Sequence, residues 1–210
     1  MRSVLFAFLI LLGVTPSVTS AADNIVILGD SLTAGYGLDE AQAYPALLQK
    51  KIDEAGLKFQ VINAGVSGDT TTDGLNRVNW LLKRQAAVFI VALGANDGLR
   101  GLPPELMEKN LTAVLQKVHS ANPGAKLLVA GMLLPTNFGP EYTNRFAAVF
   151  PAVAQQTGAT LIPFLLEGVG GRPEMNQPDR IHPTAEGQRI LAENVWKILK
   201  PVLENVSREN

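Results

Sequence analysis

Ala87-Val88-Phe89-Ile90-Val91-Ala92 is an apolar run with no polar alternation. A strand with one wet face alternates apolar and polar residues, whereas a strand covered on both faces does not. The run therefore predicts a central strand of a parallel sheet flanked by helices. Working outward, Asn24 to Leu28, Phe59 to Asn63, Lys126 to Gly131 and Thr160 to Phe164 also read as short strands. Helical segments follow each strand in turn. Tyr44 to Ala55 places Tyr44, Leu47, Leu48, Ile52 and Ala55 at helical spacing and stops at Gly56. Thr72 to Lys83, Pro103 to Ser120, Tyr142 to Thr157 and Thr184 to Leu199 continue the alternation. Pro151 is expected to disturb the fourth helix and Pro201 to stop the fifth. Five strands alternating with five helices predict an α/β fold, a three-layer α/β/α sandwich around a five-stranded parallel sheet. Ligands of such folds bind beyond the carboxyl ends of the strands, so the loops after the strands should carry the chemistry. Leu165 to Asp179 is a long loop, of a length that marks function or mobility.

Composition narrows the choices. Hydrophobic residues make up 47% of the 210 and charged residues 18%, which suits one globular domain. A net charge of -1 without a basic block argues against a nucleic-acid partner. There is no cysteine, hence no disulfide framework, thiolate zinc site, cysteine nucleophile or lipidated N-terminus. Residues 1–21 read as a signal peptide: Arg2, an apolar run from Val4 to Val14 broken only by Gly13, then Pro16, Ser17, Thr19 and Ser20. Cleavage is expected after Ala21 or Ala22. The run is too short to span a bilayer, which takes about 20 apolar residues. Residues 22–210 are expected to form a single domain, periplasmic or secreted, without stable membrane insertion.

The scarce residues are informative. The histidines are His119 and His182. His119 ends a predicted amphipathic helix, where a cation suits the helix dipole, so its role reads as structural. His182 lies in Pro178-Asp179-Arg180-Ile181-His182-Pro183, before the last helix. An Asp three residues ahead can accept from the imidazole and orient it as a base. Ser31 follows the first strand directly, in Gly29-Asp30-Ser31-Leu32. It is a nucleophile candidate, although a serine there can also cap a helix. Neither Ser31 nor Ser67 lies in a Gly-x-Ser-x-Gly elbow, which disfavours an ordinary α/β-hydrolase. The loop after strand two offers the backbone N–H of Gly68, and the loop after strand three the amide of Asn96. With the Ser31 N–H these make three donors from successive strand ends, an arrangement suited to an oxyanion.

Gly29-Asp30-Ser31-Leu32, Gly68, Gly94-Ala95-Asn96-Asp97 and Asp179-x-x-His182 resemble the four blocks of the SGNH (GDSL) hydrolase family. Ile27 to Gly37, Asn63 to Thr71 and Leu134 to Gly139 resemble its bacterial thioesterase I / lysophospholipase L1 / arylesterase subgroup. The resemblance implies a flavodoxin-like strand order of 2-1-3-4-5. It also implies catalytic Ser31, Asp179 and His182, and an oxyanion hole of Ser31, Gly68 and Asn96. It implies hydrolysis of acyl thioesters, lysophospholipids and aryl esters.

The expected reaction is ester or thioester hydrolysis through a Ser31 acyl-enzyme, needing no metal or organic cofactor. The expected partner is a small-molecule acyl ester or thioester, bound by a monomer. Leu99, Leu102, Leu134 and Phe138 are candidates for lining an acyl groove, with Leu133, Leu165, Leu166, Val169 and Met175 nearby on the loops. Gly98 and Gly101 suggest that the Leu99 loop moves. Two rival readings are an acetyl esterase acting on carbohydrate and a non-catalytic lipid- or glycan-binding protein.

Overall fold

The computed structural model describes residues 23–209. The expected signal peptide lies outside them. The described chain runs β1 (Asp23–Gly29), α1 (Ser31–Ala34), α2 (Tyr44–Glu54), β2 (Phe59–Gly65) and α3 (Thr71–Leu81). It continues through β3 (Val88–Ala92), α4 (Ala95–Leu99), α5 (Pro104–Ala121), β4 (Lys126–Ala130), α6 (Pro140–Thr157), β5 (Thr160–Ile162) and α7 (Ala185–Glu209). The sheet order is β2-β1-β3-β4-β5 and every pairing is parallel. This is the order that the family resemblance implied.

Every residue of β3 is buried, as its unbroken apolar sequence requires. In β1, Ile25 to Leu28 are at most 1% exposed. Helix α2 packs on α7, while α5 packs on both α3 and α6, giving two helical layers with the sheet between them. The edge strand β2 is only partly covered. Gln49 of α2 protects its open side: its Oε1 accepts from the Val61 N–H (2.7 Å) and its Nε2 donates to the Phe59 carbonyl (3.0 Å). A side chain that occupies ladder groups in this way blocks edge-to-edge pairing.

Three expectations need correction. Pro201 does not stop the last helix, which continues to Glu209. An internal proline costs about 3 kcal/mol, but burying a large aliphatic side chain returns about 1.5–3 kcal/mol. Leu203 (0% exposed) and Val206 (6%) lie beyond the proline and together offset it. Helix α6 likewise runs through Pro151, with Val149, Phe150, Val153 and Ala154 buried around it. Strand β5 ends at Ile162 rather than Phe164, because Pro163 has no N–H for the ladder.

Candidate active site

The site is assembled at the carboxyl ends of β1, β2 and β3. Strand β1 ends at Gly29, and Asp30 caps the single turn of α1 by accepting from the Leu32 N–H through Oδ1 (2.9 Å). That turn presents Ser31. It lies flat against the end of β2, since a Cβ on Gly65 would come within 2.3 Å of the Ala34 backbone nitrogen. A Cβ on Gly29 would meet Thr33 Oγ1 at 2.0 Å. Both glycines are thus needed for close approach rather than for an unusual φ.

Ser31 Oγ lies 2.9 Å from His182 Nε2, and His182 Nδ1 lies 2.7 Å from Asp179 Oδ2. With Asp179 accepting from Nδ1–H, Nε2 is left free to accept the Ser31 proton. Asp179 Oδ1 also accepts from the Ile181 and His182 N–H groups (2.9 and 3.0 Å). The His182 loop is fixed from several directions. The Gln177 N–H donates to the His182 carbonyl (2.7 Å), and Asn176 Nδ2 donates to the Val169 and Arg172 carbonyls. Gln188 of α7 reaches across to the Ser31 turn, donating to the Leu32 carbonyl (3.1 Å) and accepting from the Tyr44 N–H (2.8 Å).

Of the donors expected from sequence, Ser31 and Asn96 line one cleft, and Asn96 is hydrogen-bonded to Asp69, the neighbour of Gly68. The N–H groups of Ser31 and Gly68 make no hydrogen bond among the described residues. Asn96 Nδ2 uses one hydrogen on the Asp69 carbonyl (2.9 Å) and keeps its second. Gly68 has a left-handed backbone (φ 89°), and its carbonyl accepts from Arg100 Nη2 (2.9 Å). His119 is exposed in the last turn of α5 and takes no part.

A cleft of about 450 Å³ opens over Ser31, Asn96 and His182. Its walls are largely apolar, with Leu99, Met132, Leu133, Leu134, Phe164 and Leu166 prominent. Leu102 and Phe138, expected in an acyl groove, lie outside this lining. The Leu102 carbonyl instead accepts from the Tyr142 hydroxyl (2.7 Å), and the Phe138 ring packs 6.3 Å from that of Tyr142. Leu165 and Val169 are fully buried in the core, and Met175 packs against it. Loop membership was readable from sequence; the direction in which each side chain points was not.

A family model described as GDSL-like Lipase/Acylhydrolase family matches residues 27–190. The chain belongs to the GDSL-like lipase/acylhydrolase family. Membership makes it a carboxylic ester hydrolase. Esterase TesA of Pseudomonas aeruginosa is 45% identical over 185 residues, covering 88% of this chain and 91% of that one. Thioesterase 1/protease 1/lysophospholipase L1 of Escherichia coli K12 is 41% identical over 203 residues, covering 96% and 94%. A solved structure of TesA superposes with a TM-score of 0.83 at 45% identity, covering 86% of this chain and 99% of that one.

Several residues that support this GDSL-like site were given no role by the sequence reading. The Tyr36 ring packs on His182, with ring centroids 4.5 Å apart. Arg77 of α3 donates to Asp69 Oδ2 and to the carbonyls of Gly29 and Ala64, tying together the ends of β1 and β2. Asp97 is buried and accepts from the Thr71 N–H and hydroxyl (2.9 and 2.6 Å), which locks the Asn96 turn to the start of α3. Burial pushes its carboxyl upward. These partners are distant in sequence and leave no local pattern. Gly98 is closely packed. A Cβ there would lie 2.5 Å from Phe146 and 2.6 Å from Leu134.

Proposed function

We propose that this acylhydrolase cleaves acyl esters and thioesters with Ser31 as nucleophile, His182 as base and Asp179 as the residue that orients it. The observation that carries the reading is the unbroken hydrogen-bonded relay from Asp179 through His182 to Ser31, opening into an apolar cleft. His182 takes the Ser31 proton as Oγ attacks the acyl carbon. Charge develops on the carbonyl oxygen, and the Ser31 N–H, the Gly68 N–H and Asn96 Nδ2 stabilise it. The C–O or C–S bond then breaks, and His182 returns the proton to the leaving group. Water, activated by the same base, hydrolyses the acyl-enzyme. The names of the relatives, esterase and thioesterase/lysophospholipase, support both bond types.

The cleft's apolar walls support acyl chains longer than acetyl. A fluorophosphonate probe combined with a panel of p-nitrophenyl esters of graded length tests the proposal. Labelling of the wild type, its loss in Ser31→Ala and His182→Ala, and its retention in His119→Ala are expected. Activity confined to acetyl esters would defeat the acyl-chain reading. Absence of labelling in folded wild type would favour a non-catalytic binding protein.

A further inference from the structure

Arg180 occupies the turn joining Asp179 to His182. It is the one non-glycine residue among those described with a left-handed backbone, at φ 61°. A side chain there meets crowding that glycine avoids, so the turn by itself does not call for arginine. Strain of this kind gathers at functional sites. The guanidinium has no hydrogen bond or ion pair among the described residues. Neighbouring Asp179 is already engaged at both oxygens, by Ile181 and His182. Arg180 is exposed and lines the cleft, where the one acidic residue of the lining, Asp30, is fully buried. The remainder of the wall is predominantly apolar and suits an acyl chain.

In acyl transfer the base hands its proton to the leaving group, so residues beside His182 flank the path by which that group departs. We propose that Arg180 is a specificity-determining residue that selects acyl esters and thioesters whose leaving group carries a phosphate. The planar guanidinium fork matches phosphate oxygens bidentately, and an unpaired one enters no competing bond. Acyl-coenzyme A and lysophospholipids present this chemistry from different sources. The inference rests on the Ser31 acyl-enzyme reading above.

The test compares wild type, Arg180→Gly, Arg180→Asn and Arg180→Lys on three substrates of one acyl length: a dodecanoyl p-nitrophenyl ester, dodecanoyl-coenzyme A and a dodecanoyl lysophosphatidylglycerol. Gly and Asn both tolerate the left-handed turn, so neither should lower the melting temperature. Both should reduce kcat/KM on one or both phosphate-bearing substrates by about five- to tenfold while leaving the neutral ester within about twofold. Whichever substrate suffers identifies the source of the phosphate. Arg180→Lys should recover only part of the loss, because an ammonium restores the charge without the planar fork, and added salt should shrink the wild-type preference. Equal losses on all three substrates, or none on the phosphate-bearing pair, overturn the proposal for Arg180 while leaving the Ser31 reading intact. A wild type inert even on the neutral ester overturns both.

Discussion

Two carboxylates flank the reacting serine, and their surroundings move them in opposite directions. Asp179 is held down to about 2, first by the His182 backbone N–H, then by the His182 ring and the Ile181 N–H. It therefore stays ionised as pH falls until about 2, so milder acidification does not remove the carboxylate that orients His182. Asp30 is pushed up to about 7 by burial, against the opposing bond from the Leu32 N–H, and its Oδ2 has no partner. Its folded-state affinity for a proton exceeds that of the unfolded chain. Stability from this group is thus fully present below about pH 4 and is lost as pH rises through about 7. Asp30→Asn should flatten that dependence. Urea midpoints at pH 5 and pH 8 should draw together relative to wild type, and an unchanged gap would show that Asp30 is not the group responsible. Neither environment was visible from sequence. Asp179-x-x-His182 suggested a pair, but the burial of Asp30 depends on α1 folding back against β2.

At the scale of elements, the site is held by short pieces that no periodicity could reveal. Helices α1 and α4 have four and five residues, too few to show a hydrophobic repeat. Their positions come from contacts. Gly65 lets α1 lie against β2, Arg77 binds the β1 and β2 carbonyl ends, and Asp97 joins α4 to α3. Gly65→Ala would drive a methyl group into the Ala34 backbone, which cannot rotate aside as a side chain would. It should cost about 1–3 kcal/mol of stability and lower kcat by displacing Ser31. Thermal melts together with the rate of fluorophosphonate labelling check both effects. Full stability with unchanged labelling would mean that α1 has slack the geometry does not suggest. The longer elements were legible because their apolar residues repeat over several turns. The two prolines misled because sequence reports the lost N–H but not the burial beyond it, of Val153 and Ala154 after Pro151 and of Leu203 and Val206 after Pro201.

At the scale of the whole molecule, the expected signal peptide lies outside the described residues. Among the described residues no helix is long and apolar enough to cross a membrane. We propose export with removal of residues 1–21 or 1–22. Mass spectrometry of the protein recovered from the periplasm or medium should give an N-terminus at Ala22 or Asp23, whereas an intact Met1 would refute it. Sequence alone determined the alternation of strands and helices, because burial on both faces writes unbroken apolar runs into the chain. It also determined the candidate nucleophile, base and oxyanion donors, because few residues can do that chemistry and each follows a strand or precedes the last helix. Only the tertiary structure decided which residues beyond the strand ends face the cleft: Leu99, at the end of α4, Leu134 and Arg180 do, while Leu102 and Phe138 do not. The reason is geometric. A strand's period of two or a helix's of 3.6 fixes where side chains point, whereas a loop has no period, and its side chains take their directions from contacts with distant parts of the chain.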